Sequence, residues 1–149
     1  MHSLWNEVDR RNLLARIDKL APNMRPVWGR MSAAQTVAHL ADWFRMAIGA
    51  IRVESKNTPL RFTPLKQLVI YVLPFPKNVP TAPELLKSEP GVWTEDTRDL
   101  KDLLRRTVQK QTDKNAKWPD HPAFGAITGE AWGVLGYRHT DHHLKQFGV

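Results

Sequence analysis

The chain has 149 residues, of which 42% are hydrophobic and 25% are charged, a composition typical of a single globular domain spanning 1–149. It contains no cysteine, which excludes disulfide bonds, cysteine-ligated zinc, iron–sulfur clusters and a thiol nucleophile supplied by the protein itself. The 22 Lys and Arg residues exceed the 15 Asp and Glu residues, giving a net charge of +7.

The charge pattern and the apolar runs bear on partners and location. No basic run is longer than two residues, and no nucleic-acid motif is present, so the pattern argues against nucleic-acid binding. The N-terminus lacks the apolar stretch of a signal peptide, and the longest charge-free apolar run, 67–76, is about half as long as a spanning helix. We therefore expect a soluble, cytoplasmic protein without a membrane partner.

The first part of the chain predicts two amphipathic helices. Apolar residues recur at helical spacing over about 3–21, where Pro22 ends the pattern. The second helix begins after Ser32, since Ser32 and Gln35 have the spacing of a capping box, and its pattern continues to about Val53.

The middle of the chain differs in composition from the predicted helices. Seven of the eleven prolines lie between Pro59 and Pro90, which excludes one long helix there, although 65–73 is compatible with a short helix or a strand. Residues 74–91 are typical of an extended, proline-stiffened connection. A third helix opens at Thr94, and a fourth spans about 128–147. The predicted fold is all-α: a four-helix bundle with a long proline-rich crossover between its second and third helices.

Histidines occupy the predicted inward faces of two helices. On the fourth helix, His139 and His143 are one turn apart, so their Cβ atoms should lie about 5–6 Å from each other. Two imidazoles at this spacing can hold one metal ion. On the second helix, His39 borders the apolar arc. Three neutral imidazoles would make an open site for zinc or a similar divalent metal, with a free position for water or substrate.

Other side chains lie near these positions on the helical wheels. Trp43 and Trp132 are predicted to line a pocket beside the ligands, and His142 lies nearer the rim. Asp42, close to the polar boundary, is the nearest candidate for a general base or a residue supporting a ligand. The alternative is structural: a core histidine bonded to a backbone carbonyl, and histidines of a last turn that complement the helix dipole.

Three separated segments carry a family resemblance. WGRMSAAQTVAHLAD at 28–42, PKNVPTAPELL at 76–86, and HPAFG with WGVLGYRHTDHHLKQFG within 121–148 resemble a domain-of-unknown-function branch of the DinB-like (YfiT-type) superfamily. The resemblance covers nearly the whole chain. It implies a four-helix bundle with a long crossover that commonly forms a homodimer.

The resemblance also implies a metal site and a chemistry. It implies a divalent metal, typically zinc or nickel, on one histidine of the second helix and two of the fourth, which match His39, His139 and His143. Characterised relatives use low-molecular-weight thiols such as bacillithiol or mycothiol. The leading hypothesis is therefore a metal-dependent enzyme that transfers such a thiol to a small electrophilic substrate. The alternatives are a hydrolase that uses a metal-activated water, a non-catalytic bundle that binds a ligand or partner and, third, a basic nucleic-acid binder.

Overall fold

The structure is a computed structural model that describes residues 1–75 and 88–149. These ranges contain five α-helices, a short 3₁₀ helix at Pro59–Arg61 and no β-strand, so the prediction of an all-α protein is confirmed. None of these helices is long and apolar enough to cross a membrane. The helices are α1 (Glu7–Ile17), α2 (Ala33–Ile48), α3 (Leu65–Tyr71), α4 (Trp93–Thr112) and α5 (Gly129–Lys145).

Helix α5 packs against three other helices. It contacts α1, α2 and the short α3, while α4 packs mainly against α2. Apolar side chains of the four longer helices meet in one core, and burying such side chains is the main force that holds helices together. Fully buried members of this core are Leu13, Ile17, Leu40, Phe44, Leu100, Leu104, Trp132 and Leu144.

Helix α2 begins at the predicted cap. The hydroxyl of Ser32 accepts a hydrogen bond from the backbone N–H of Gln35 at 3.1 Å, and the Gln35 side chain accepts one from the N–H of Ser32 at 2.9 Å. The helix ends at Ile48, before the predicted end at Val53. Gly49 has a φ of +84°, a left-handed conformation that glycine adopts without strain and that terminates the helix.

Helix α1 is shorter than predicted. The apolar pattern indicated 3–21, whereas the helix spans Glu7–Ile17. The side chain of Asn6 accepts a hydrogen bond from the N–H of Asp9 at 3.1 Å and so caps the helix. Residues 1–6, called the N-terminal segment below, lie outside the helix.

The N-terminal segment lies on α5. The N–H of Leu4 donates to the carbonyl of Gly133 at 3.0 Å, and the fully buried Leu4 side chain reaches Gly136. A Cβ atom on Gly133 would lie 2.3 Å from the Trp5 indole, and one on Gly136 would lie 2.4 Å from a methyl of Leu4. The two glycines therefore form the surface on which the segment packs.

The region between α2 and α4 contains one short helix. Residues Leu65–Tyr71 form a helix rather than a strand. Arg138 of α5 donates hydrogen bonds to the carbonyls of Val69 (2.9 Å), Ile70 and Leu73, and so caps the C-terminal end of α3 with a cation. The extended connection predicted for 74–91 lies largely outside the described residues.

The last two helices begin close to their predicted positions. Helix α4 begins at Trp93, and the acidic side chains of its first turn complement the helix dipole. At α5 the hydroxyl of Thr128 accepts a hydrogen bond from the N–H of Ala131 at 3.1 Å, which makes Thr128 the N-cap.

Candidate metal centre

Three imidazole rings meet where α2 crosses α5. Nε2 of His139 lies 3.0 Å from Nε2 of His39 and 3.0 Å from Nε2 of His143. The nitrogen atoms that the three rings can offer to a metal ion all lie within 4.8 Å of one another. The structure thus brings together three histidines from distant parts of the chain.

Helix geometry explains this convergence. His139 and His143 lie one turn apart on α5, so both rings leave the same face. His39 of α2 contacts both rings, with centroids 5.0 and 4.8 Å away. Trp43, one turn further along α2 than His39, contacts His139 and Trp132 instead of His139 and His143. The contacts thus move towards the start of α5 as α2 proceeds. The two helices therefore run antiparallel, and this register places the imidazoles opposite each other.

Two of the three nitrogen spacings are close to those around a tetrahedral metal ion. Zinc–nitrogen bonds of about 2.0–2.1 Å at tetrahedral angles place ligand nitrogens roughly 3.3 Å apart. In each of the two pairs the Nε2 atoms are 3.0 Å apart, so the rings need to move only slightly further apart to reach the spacing of metal ligands. His39 and His143 are buried, and His139 is partly exposed.

The site favours uncharged imidazoles. Burial, together with the proximity of His143 and His39, holds the pKa of His139 well below its ordinary value of 6.5. Burial and the proximity of His39 lower the pKa of His143 to about 3, although the hydrogen bond from Nδ1 of His143 to the side-chain oxygen of Gln146 acts in the opposite direction. At neutral pH these two rings are therefore neutral, which is the form that binds metal ions.

One contact of the site was not predicted from the sequence. The side-chain oxygen Oε1 of Gln146 lies 2.6 Å from Nδ1 of His143, and both residues are 6% exposed. His143 and Gln146 are three residues apart at the end of a helix, and this spacing brings side chains together, so it could have indicated the contact.

Aromatic side chains surround the histidines on the α2 side. The Trp43 ring makes an edge contact with His139 at 5.4 Å, and it also contacts Trp132 at 5.3 Å. Trp132 is fully buried behind Trp43 and stacks on Trp118 at 6.0 Å. Of the two tryptophans predicted as pocket walls, Trp43 is thus in ring contact with the site, while Trp132 supports it from behind.

His142 lies on the other side of the three histidines. Its ring is 5.4 Å from that of His143, 4.8 Å from Trp28 and 6.0 Å from Phe75. Trp28 and Phe75 come from segments outside the helices, so helical periodicity gave no indication of their proximity. Together they make the rim beside His142 aromatic.

Asp42 is not one of the convergent side chains. Its carboxylate accepts hydrogen bonds from Nη1 of Arg45 at 2.7 Å, from the Ser88 hydroxyl at 2.7 Å and from the Ser88 N–H at 3.3 Å. Arg45 in turn pairs with Asp99 of α4. Asp42 is 3% exposed rather than at the polar boundary, because these partners satisfy its charge. The arrangement favours a structural role, in which Asp42 ties Ser88 to α2.

His121 is a further histidine in an enclosed environment. It is partly buried, its Nδ1 accepts hydrogen bonds from the N–H groups of Ala123 at 3.2 Å and Phe124 at 3.4 Å, and its ring contacts Trp132 at 5.4 Å. Burial lowers its pKa from 6.5 to about 4. The imidazole of His121 is therefore protonated less readily in the folded protein than in the unfolded chain.

We expect the free energy of unfolding of the metal-free protein to fall as the pH falls from 6.5 towards 4. In this window the unfolded chain binds a proton at position 121 while the folded protein does not, so His121 contributes up to about 1.4 kcal/mol per pH unit. In His121→Asn the amide oxygen can still accept the two backbone hydrogen bonds, but it does not titrate. Urea unfolding with a chelator at pH 7, 6 and 5 should show a shallower dependence for His121→Asn, and equal slopes would contradict the assignment.

Comparison with known proteins identifies a family. The model of the DinB superfamily matches residues 6–147, a range that includes all five helices and the three histidines. No curated protein and no solved structure matches the chain.

Proposed function

The chain belongs to the DinB superfamily, and from that premise we propose that it is an enzyme dependent on a divalent metal ion held by His39, His139 and His143. The convergence of three imidazoles, with two Nε2 pairs at 3.0 Å, carries this proposal. Zinc and nickel are the proposed metals, because imidazole nitrogen suits both ions.

The proposed reaction is the transfer of a low-molecular-weight thiol to a small electrophile. When bound, the metal supplies a positive charge that lowers the pKa of a thiol and favours the thiolate, the nucleophilic form. The three ligands are neutral imidazoles and add no negative charge, so they favour an anionic partner at the open position. The chain has no cysteine, and the thiol must therefore come from a cosubstrate.

The surroundings of the histidines support a small, partly apolar substrate. The Trp43 ring borders His139. The Trp28 and Phe75 rings lie beside His142, which is next to His143. Such walls limit the access of water and strengthen electrostatic interactions within the site. They also favour an electrophile with an apolar body.

Thiol transfer is favoured over hydrolysis by the hydrogen bonds of Asp42. A hydrolase benefits from a general base within hydrogen-bond reach of the attacking water. The candidate from the sequence, Asp42, instead accepts hydrogen bonds from Arg45 and Ser88.

The proposal also includes a homodimer and a cytoplasmic location. Light scattering after size-exclusion chromatography tests whether the protein is a homodimer.

Metal content tests the ligand set. We expect protein that carries no histidine tag and is purified without chelators to contain about one divalent ion per chain by plasma mass spectrometry. His39→Ala and His143→Ala should each lose it, because two histidines rarely hold a metal alone. His142→Ala is the matched control, since His142 neighbours His143 but is not one of the three convergent rings, and it should retain the metal.

Two results would contradict this proposal. Unchanged metal content in His39→Ala would show that the ligand set is wrong, and no metal in wild-type protein offered zinc and nickel would refute the metal site. The reaction is tested by offering the loaded protein bacillithiol, mycothiol or glutathione with a chromogenic electrophile. A rate that is equal in the wild type and His39→Ala would overturn the transfer activity.

A further inference from the structure

We propose that Gln146 is a positioning residue that fixes the ring orientation and the tautomer of His143, so that Nε2 of His143 presents its lone pair to the metal site. This inference rests on the proposed function, because it concerns one of the three proposed ligands. It is carried by the 2.6 Å contact between Nδ1 of His143 and Oε1 of Gln146, two side chains that are each 6% exposed.

The chemistry of the contact selects one tautomer. A neutral imidazole has one N–H donor and one acceptor nitrogen, and an amide oxygen can only accept. Nδ1 of His143 must therefore carry the proton and donate it to Gln146. Nε2 is then unprotonated, and this is the atom that lies 3.0 Å from Nε2 of His139. The hydrogen bond leaves the lone pair on the side of the ring that faces the other two histidines.

The loop before α2 holds Gln146 in place. The backbone N–H of Val27 donates to the backbone carbonyl of Gln146 at 2.6 Å. Gly29 has a φ of +89°, and a Cβ atom at this position would lie 2.6 Å from the side-chain nitrogen of Gln146. The loop thus packs directly on the amide, and glycine is the residue that leaves the amide its space.

The other α5 ligand lacks such support. Nδ1 of His139 is buried and has no hydrogen-bond partner in the part of the chain that the structure describes. Of the two Nδ1 atoms, that of His143 is the one with a hydrogen-bond partner among the described residues. A partner that orients a metal-binding histidine typically contributes about 10–100-fold to metal affinity.

The tautomer can be measured in the metal-free protein. Two-dimensional NMR of ¹⁵N-labelled imidazoles, with the His143 resonances identified from His143→Ala, should show Nδ1–H and unprotonated Nε2 in the wild type. Gln146→Met, which keeps the length but removes the acceptor, should shift His143 towards the Nε2–H form. Gln146→Glu restores an oxygen acceptor and should restore the Nδ1–H form. An Nε2–H tautomer in the wild type, or no change in Gln146→Met, would overturn the inference.

Zinc affinity gives the second readout. Competition with a chromogenic chelator should show Gln146→Met binding zinc about 10–100-fold more weakly than the wild type, with most of the loss recovered in Gln146→Glu. Gln67→Met is the matched control, because Gln67 is exposed on α3, and its affinity should equal that of the wild type. Equal affinities for Gln146→Met and the wild type would also overturn the inference.

The two readouts separate this inference from the proposed function. If wild-type protein does not bind zinc, the proposed metal site fails, whatever the tautomer. If wild-type protein binds zinc through the three histidines but Gln146→Met leaves both the tautomer and the affinity unchanged, only the role of Gln146 fails. Gly29→Ala supplies a variant with Gln146 intact, and displacement of the amide should shift the His143 tautomer in the same direction as Gln146→Met.

Discussion

Gly133→Val is expected to lower the free energy of unfolding by about 3 kcal/mol, because overpacking of a close contact costs about 1–3 kcal/mol and the displaced indole loses further packing. Even a Cβ atom at this position would lie 2.3 Å from the Trp5 ring and 2.7 Å from the Ser3 hydroxyl. Displacement of Trp5 would also break its hydrogen bond from Nε1 to the Gly129 carbonyl at 3.0 Å. Urea unfolding followed by circular dichroism measures the loss.

The cause of this loss can be isolated with two further variants. Glu130→Val places the same side chain at an exposed position of the same helix, where it should cost about 1 kcal/mol or less. In a Trp5→Ala background, Gly133→Val should cost much less than alone, because the contact that it disrupts is already absent. Additive effects of the two substitutions would show that Trp5 and Gly133 do not pack on each other.

Zinc is expected to raise the free energy of unfolding by about 4 kcal/mol when its free concentration is 1,000 times the dissociation constant, since it binds the folded protein in preference to the unfolded chain. The bound ion would join α2 to α5 through the three histidines and so oppose their separation. Thermal or urea unfolding with and without zinc measures this effect, and addition of a chelator should reverse it.

His39→Ala should lose this stabilisation, while His142→Ala should keep it. His39 is the proposed ligand from α2, and without it the ion would no longer connect the two helices. An equal zinc effect in wild type and His39→Ala would indicate that zinc binds elsewhere on the protein.

Features encoded by a few neighbouring residues were predictable from the sequence. The Ser32–Gln35 capping box forms at its expected position, because it needs only local side-chain and backbone groups. Helix α5 likewise begins beside the predicted residue, Thr128. The early end of α2 at Gly49 also had a local indication, since glycine commonly ends helices. Tertiary packing determined what was missed: Leu4 has the apolar spacing of a helix, yet it packs on α5 from a non-helical segment.

The candidate site was likewise predictable where it depends on one helix and not where it depends on tertiary packing. The face occupied by His139 and His143 follows from helical spacing, and His39 follows from the apolar arc of its own helix. The separation of the rings required the register between α2 and α5, which no single helix encodes. Trp28 and Phe75 approach His142 from segments without periodicity, so no pattern in the chain indicated them.

The packing of α1 on α5 has a consequence for how the chain folds. A ribosome makes α1 first and α5 last, and Trp5 bonds to a residue 124 positions later in the chain. While the chain is being made, α1 therefore lacks α5, its main helical partner among the described residues. Contacts between such distant residues carry a large entropic cost of loop closure and slow folding. We expect the docking of the N-terminal segment and α1 onto α5 to be the last step in folding, completed only after synthesis has passed α5.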